Sequence, residues 1–211
     1  MGHRRVRHPG IGAVRFQSSP STVSAMSSKS TPIYTLRIEL QDVEPLVWRR
    51  VQVPANITLP KLHRVIQAAM GWTNSHLHSF RVGEHEYAQP DELEELDFID
   101  EKGVKLDSLI GDSIDAFSYQ YDFGDSWHHQ IIVESKGKGK PGWSYPLCIG
   151  GQRACPPEDV GGASGYQEFA EALRDPHHAE HESYLTWVGG FFDPEGFDGN
   201  AVNDRLRQWQ L

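Results

Sequence analysis

The feature that most restricts the fold is a two-residue alternation of side chains, which recurs in pairs of neighbouring segments. Mostly apolar residues occupy every second position across 34–40 and 47–53, and again across 117–121 and 127–133. Alternation with period two predicts half-buried β-strands, and two such strands joined by a short turn predict a hairpin. A further pair of short strands is predicted on either side of Gly83. The chain is therefore expected to build a sheet from hairpins.

Helical periodicity appears once between the strand pairs and then throughout the last third of the chain. Thr58 precedes an apolar stripe over residues 62–70 that ends at Gly71, a pattern typical of a capped helix. A second helix is predicted over 166–173. A third is expected to open at Asp175-Pro176, because proline suits the first helical turn, and to run through Trp187. A short fourth helix is predicted over 202–209.

Strands mostly precede helices along the chain, which favours an α+β fold over alternating α/β. We predict a mostly antiparallel sheet built from hairpins and packed by about four helices in a single domain over residues 31–211. Residues 90–112 are acidic and ambiguous, and residues 136–143 are expected to form a loop rich in glycine and lysine.

The first 30 residues differ from the rest in composition. They carry five Arg or Lys, no Asp or Glu and many serines, whereas the whole chain has a net charge of −9. A basic, serine-rich segment with few apolar residues cannot offset its ordering entropy, so 1–30 is predicted to be a disordered tail. Organelle targeting, a true start at Met26 and a nucleic-acid-binding arm are the alternatives. The acidic body disfavours nucleic-acid binding except through the tail or a local patch.

Other motifs limit the function classes. The chain has no apolar run near the about 20 residues of a membrane helix, so no membrane partner is expected. The two cysteines, Cys148 and Cys155, are too few for a disulfide scaffold and indicate a reducing, cytosolic compartment, although a bridge between them stays open. Neither phosphate-binding glycine motif of nucleotide enzymes occurs, so no nucleotide cofactor is expected.

A family resemblance rests on seven motifs that occur in order. They are YTLRIEL (34–40), PLVWRR (45–50), LHRVIQAAMGW (62–72), HLHSF (76–80), YQYDFGDSWHH (119–129), PPEDVGG (156–162) and FDPEGF (192–197). Together they resemble the plasmid pRiA4b ORF-3-like family over about residues 34–209. The resemblance implies a single α+β domain and brings no catalytic residues with it. Some members are described as insertion-element passengers or resolvase-like proteins, which implies an association with mobile genetic elements.

The turn between the predicted strands 117–121 and 127–133 concentrates titratable groups beside large aromatics. We predict a cleft at this hairpin end, with the loop 156–162 as its rim and a cation or a basic peptide, rather than phosphate, as its ligand. Its predicted binding residues are Asp122, Asp125, Trp127, His76, His78, Glu158 and Asp159. Gly124 is expected to have a positive φ. The alternative is that these groups only cap local turns and pack the core.

A second candidate is a zinc site formed by Cys148, Cys155, His177 and His181. His177 and His181 are four residues apart and would share one face of the predicted third helix, and they also fit an H-x-x-E-H pattern. The spacing of the cysteines is not that of a standard zinc finger, so exposed histidines and packed cysteines are the alternative. Apart from this zinc, no cofactor is expected.

The sequence therefore predicts a cytosolic binding or accessory module, associated through its resemblance with mobile elements, rather than an enzyme. One alternative is a metal-dependent hydrolase that uses a His/Asp site. The other is a nucleic-acid-binding protein that uses the basic tail.

Overall fold

The computed structural model describes residues 31–89, 98–111 and 114–208. The predicted disordered tail, residues 1–30, lies outside these ranges. The described chain contains one sheet of eight strands. They are β1 (Pro32–Leu40), β2 (Trp48–Pro54), β3 (His78–Val82), β4 (His85–Ala88), β5 (Ile99–Asp100), β6 (Ala116–Tyr121), β7 (Trp127–Lys138) and β8 (Leu147–Gln152).

Five helices accompany the sheet in the described ranges. They are α1 (Leu59–Met70), α2 (Leu106–Ile110), α3 (Gly162–Arg174), α4 (His181–Trp187) and α5 (Gly199–Gln208). The predicted α+β single domain is thus confirmed. The helix beyond the expected four is α2, which lies in the acidic segment that the sequence pattern left ambiguous.

The strands are ordered β5-β4-β3-β6-β7-β1-β2-β8. All neighbours run antiparallel except β4 and β5. The predicted hairpins β1–β2, β3–β4 and β6–β7 are present, and the long strands β1 and β7 join the two halves of the sheet. This order places the β6–β7 turn next to the start of β3.

The core lies between one face of the sheet and the helices. Alternate side chains of β1 and β6 are buried, as the period-two pattern requires, and they meet the apolar face of α1. Thr58 precedes α1 without a side-chain cap, and Gly71 ends it with φ 93°, which a residue with a side chain rarely adopts. α1 therefore stops abruptly, and the chain turns into the segment that leads to β3.

Arg49 is the one charged residue in the inward-facing series of β2, and it is 3% exposed. Its guanidinium donates only to main-chain carbonyls and one sulfur, and its carbon lies 4.7 Å from the centre of the Phe197 ring. The acceptors are Ala69 O at 3.0 Å, Trp48 O at 2.8 Å, Gln152 O at 3.0 Å, Arg153 O at 2.8 Å and Cys155 Sγ at 3.0 Å. One side chain thus joins the end of α1 to β2 and to the segment that follows β8.

Three elements depart furthest from the sequence predictions. β8 was not predicted, because its LCIGGQ sequence has two glycines and no sustained alternation. β7 continues to Lys138, into the expected loop. α4 begins at His181 instead of Pro176, because the Asp175 carboxylate accepts a hydrogen bond from the His177 amide at 2.9 Å and closes a turn there.

None of the helices in the described ranges is long and apolar enough to cross a membrane.

Candidate functional site

A polar cleft of about 500 Å³ opens where three segments of the chain meet. The first half of α1 forms one wall, the loop 74–77 with the start of β3 forms the second, and the β6–β7 turn forms the third. Main-chain and side-chain hydrogen bonds fix these segments together: the Asp122 amide donates to Leu77 O at 2.8 Å, and the Ser75 amide donates to the Tyr121 hydroxyl at 2.9 Å. The cleft therefore lies at the hairpin end that the sequence indicated.

His76 and Asp122 line this cleft, and Asp159, which is exposed on the loop 156–162, reaches His76 from the outside. His76 Nε2 lies 3.0 Å from Asp159 Oδ1 and 3.6 Å from Asp122 Oδ2. Across the described ranges, these are the only three His, Cys, Asp or Glu residues whose ligand atoms all lie within 4.8 Å of one another. The contact with Asp159 is outside the angular range of a hydrogen bond, so the buried Nε2 has no hydrogen-bond partner among the described residues.

The two separations measured from His76 are close to the spacing of ligands around a metal ion. Ligands about 2.1 Å from an ion lie about 3.4 Å apart in a tetrahedral arrangement and about 3.0 Å apart in an octahedral one. The two measured separations from His76 span this interval. Imidazole and carboxylate are both common ligands of divalent transition metals. The three side chains can therefore hold one cation, with further coordination positions open toward the cleft.

The β6–β7 turn orients Asp122 for this role. Its Oδ1 accepts the amides of Gly124 at 2.9 Å and Asp125 at 3.3 Å, which leaves Oδ2 directed toward His76. Asp122 and Ser126, at φ 55° each, have the positive φ of this turn. The positive φ expected at Gly124 is absent, because Asp122, two residues earlier, adopts the positive φ of the turn and its carboxylate bonds the local amides.

The rim loop is held by two other predicted site residues. Glu158 accepts hydrogen bonds from the Thr73 amide at 3.0 Å, the Thr73 hydroxyl at 2.5 Å and the Tyr121 hydroxyl at 2.5 Å. Asp125 Oδ2 accepts the Gly161 amide at 3.1 Å. Burial and, next, the carboxylate of Glu158 raise the pKa of Tyr121, so the hydroxyl keeps its proton for this bond. Glu158 and Asp125 hold the loop in place. Of the predicted site residues on this loop, Asp159 is the one whose carboxylate lies next to His76.

Trp127 belongs to the core instead of the cleft. It is 1% exposed, and its ring centre lies 5.9 Å from that of Trp72, which in turn stacks on Tyr121 at 5.0 Å. The strand alternation that placed Trp127 on the same side as other buried residues explains this position. Tyr121 of this aromatic cluster contacts the His76 ring edge-on, with the ring centres 5.8 Å apart.

His76 and His78 have different surroundings, although a strand would place both on one face. β3 begins only at His78, so His76 is in the preceding loop. His78 stacks on His63 with the ring centres 3.6 Å apart, and its Nε2 lies 3.1 Å from Glu101 Oε2. Both members of the His78–Glu101 pair are buried and line the cleft.

Sequence reasoning missed a buried polar network around His63. His63 Nδ1 lies 2.8 Å from the Tyr119 hydroxyl, and His63 Nε2 is in contact with Asn74 Oδ1. Gln67 donates to the same hydroxyl at 3.1 Å and accepts the Asn74 amide at 3.0 Å. The signal was present: His63 and Gln67 are polar residues four apart inside the apolar region of α1, where their side chains are neighbours.

The second predicted set, Cys148, Cys155, His177 and His181, is not brought together. Each side chain has a separate environment: Cys148 Sγ lies 3.4 Å from Gly150 O, Cys155 Sγ lies 3.1 Å from Met70 Sδ, and His181 Nδ1 lies 2.8 Å from Ala172 O. His177 is exposed in the turn before α4, so the two histidines do not share a helix face. The cysteines are free and buried, and burial raises the pKa of both thiols.

Two buried histidines make stability depend on acid pH. Burial, reinforced by the charge of His78, lowers the pKa of His63 to about 3, and burial lowers the pKa of His129 to about 3. An unfolded histidine titrates near 6.5. The contribution of these two histidines to the free energy of unfolding is therefore fully present above about pH 6.5. It is lost as the pH falls toward 3, because only the unfolded state takes up these protons.

We expect the free energy of unfolding, measured in urea between pH 6 and 4, to fall by about 1.4 kcal/mol per pH unit for each of these histidines. His129→Phe should remove one histidine's share of this slope. An equal slope in the wild type and His129→Phe would contradict the assignment.

Comparisons with known proteins agree with this fold. The family model described as plasmid pRiA4b ORF-3-like protein matches residues 32–201. The uncharacterized protein y4hQ of Sinorhizobium fredii (strain NBRC 101917 / NGR234) is 45% identical over 172 residues, which cover 81% of this chain and 86% of y4hQ. The crystal structure of MM3350, a protein of unknown function from Methanosarcina mazei Go1, superposes with a TM-score of 0.75 at 38% identity, covering 81% of this chain and 97% of MM3350. The chain belongs to the plasmid pRiA4b ORF-3-like protein family.

Proposed function

We propose that this protein is a binding module whose cleft holds one divalent transition-metal cation on His76, Asp122 and Asp159. The observation that carries the proposal is the buried His76 Nε2, which has no hydrogen-bond partner among the described residues and lies at ligand spacing from two carboxylates. A buried nitrogen without a hydrogen-bond partner costs free energy, and a cation at this position would remove that cost. The cationic ligand predicted from the acidic hairpin end is thus a metal ion.

The nature of the ligands favours Zn²⁺ or Mn²⁺ over Mg²⁺. Imidazole suits zinc and other transition metals, and Mg²⁺ prefers oxygen ligands and keeps several waters. Asp122 and Asp159 both have positive φ, at 55° and 62°, so the two carboxylates are presented by backbone conformations that are uncommon outside special sites.

Isothermal titration calorimetry on the full chain tests the proposal. We expect one Zn²⁺ or Mn²⁺ per chain. We also expect a loss of affinity of more than about 10-fold in His76→Ala and in the near-isosteric Asp122→Asn and Asp159→Asn variants.

Asp125→Asn is the matched control, because it changes the same chemistry in the same turn at a carboxylate that binds only the Gly161 amide. Its affinity should equal that of the wild type. Absence of stoichiometric binding, or equal affinity in all four variants, would overturn the proposal.

A metal-dependent hydrolase is the second candidate. Three protein ligands with open positions toward a cleft are the pattern of catalytic metal sites, whereas structural sites are usually closed by four. Metal-stimulated hydrolysis of a chromogenic ester that is lost in His76→Ala would favour this candidate over a binding module.

Three further expectations rest on the sequence and the resemblance. They are the cytoplasmic location, the association with mobile genetic elements and nucleic-acid binding through residues 1–30. Steep salt dependence of DNA binding that disappears on deletion of residues 1–30 would support the last of these.

A further inference from the structure

The acidic groups around the cleft are engaged within the protein. Glu158 binds Thr73 and Tyr121, Asp125 binds Gly161, and Glu101 is paired with His78. Asp122 and Asp159 are the proposed cation ligands. The carboxylates that suggested a basic peptide are therefore not free to bind one. The hydrogen-bond donors that remain in the cleft then determine which class of ligand it can bind.

The buried network fixes the direction of the Asn74 amide. The Asn74 main-chain N–H is a donor, so it must meet the oxygen of Gln67, and the Gln67 NH₂ must then donate to the Tyr119 hydroxyl. Asn74 Oδ1 faces His63 Nε2, and because an amide oxygen only accepts, the imidazole proton lies on Nε2 and Nδ1 accepts the Tyr119 hydroxyl proton. The NH₂ group of Asn74 is consequently a free donor at the cleft, with no partner among the described residues.

Arg64 supplies a positive charge on the same wall. It is exposed on α1, lines the cleft, and forms no salt bridge with a described residue. A guanidinium and an amide NH₂ beside a divalent cation offer only donors and positive charge, which is the combination that phosphate oxygens bind.

We propose that the cleft binds a phosphate monoester, whose phosphate coordinates the cation held by His76, Asp122 and Asp159 and accepts hydrogen bonds from Asn74 Nδ2 and Arg64. This inference rests on the proposed cation site and names the class of ligand that the site takes. The polar lining and the volume of about 500 Å³ suit a small, charged molecule better than an apolar one.

Phosphorus NMR with methyl phosphate as the probe tests the inference. Bound Mn²⁺ is paramagnetic, so a phosphate that coordinates it relaxes faster, and titration of Mn²⁺-loaded protein gives a dissociation constant. We expect saturable broadening in the wild type and none in the diamagnetic Zn²⁺-loaded protein. Arg64→Ala and Asn74→Asp should each weaken methyl phosphate binding by about 10-fold or more. Asn74→Asp keeps the oxygen that meets His63 and replaces the NH₂ donor by a second oxygen.

Arg81→Ala is the control, because Arg81 is an exposed arginine paired with Glu86 at 2.7 Å and does not line the cleft. Mn²⁺ affinity is measured in each variant. If Mn²⁺ binds but methyl phosphate shows no saturable broadening, or Arg64→Ala and Asn74→Asp match Arg81→Ala, the phosphate inference is wrong while the cation site stands. If Mn²⁺ itself does not bind the wild type, the cation site and the phosphate inference are both wrong.

Discussion

Replacing Arg49 with methionine should lower the free energy of unfolding by about 3–5 kcal/mol, because several main-chain carbonyls would lose their buried donor at once. Methionine fills much of the same volume but has no N–H groups. Four main-chain carbonyls and the Cys155 sulfur would lose a donor at once. A buried polar group left without a partner costs about 1–3 kcal/mol, so the sum exceeds the apolar gain from methionine. Urea denaturation at pH 7 measures the change.

Arg50→Met is the matched control for this prediction. Arg50 is the next residue in β2 and makes two hydrogen bonds with Glu134, at 2.6 and 2.7 Å, but both side chains are about one-third exposed. An exposed ion pair contributes about 0–1 kcal/mol. Equal losses for Arg49→Met and Arg50→Met would show that the main-chain contacts of Arg49 do not stabilise the fold.

The strand pattern could be predicted because it depends on local periodicity. Each side chain of β1 or β6 is placed on one face by its own position in the pleat, and the buried face is visible as an apolar series. β8 could not be predicted, because its structure does not depend on local periodicity. Its partner strand β2 and helix α5, whose Asn203 bonds the main chain of Cys148, determine its structure, while its two glycines weaken any local preference.

The sequence indicated which residues belong to the candidate site, but it did not indicate which of them lie next to one another. His76, Asp122 and Asp159 were each singled out as titratable residues near the hairpin turn. Which carboxylate would meet the imidazole depends on distances between loops that are 37 to 83 residues apart in the chain, and no spacing rule encodes such distances. The histidine pair His177 and His181 failed for a local reason, because a side-chain turn at Asp175 competes with helix initiation.

The buried network on α1 shows a different limit. His63 and Gln67 lie four residues apart on a helix with an apolar face, and either polar residue alone is compatible with exposure. Only the contact with Tyr119 from β6 makes both of them core residues. The burial of these two residues is therefore set by tertiary packing and cannot be read from the local sequence.

Replacing Gly165 with alanine should lower the free energy of unfolding by about 2–3 kcal/mol and weaken cation binding. Alanine within a helix normally stabilises by up to about 1 kcal/mol relative to glycine. At this position, however, a Cβ would lie 2.1 Å from Val160 O and 2.9 Å from its carbonyl carbon. Such an overlap requires the main chain to move, and overpacking of this kind costs about 1–3 kcal/mol or more. Because the steric overlap is with rigid main chain, the destabilising effect should prevail.

The loop that must move is the one that carries Asp159, the residue before Val160. Displacing Val160 should therefore shift a proposed cation ligand, and we expect Mn²⁺ affinity to fall by about 10-fold in Gly165→Ala. Gly137→Ala is the control, because Gly137 has an ordinary φ and a Cβ there meets no atom within 4 Å. The free energy of unfolding and the Mn²⁺ affinity of Gly137→Ala should both be close to those of the wild type. A Gly165→Ala protein that is destabilised but binds Mn²⁺ normally would mean that the position of the loop is not what brings Asp159 to His76.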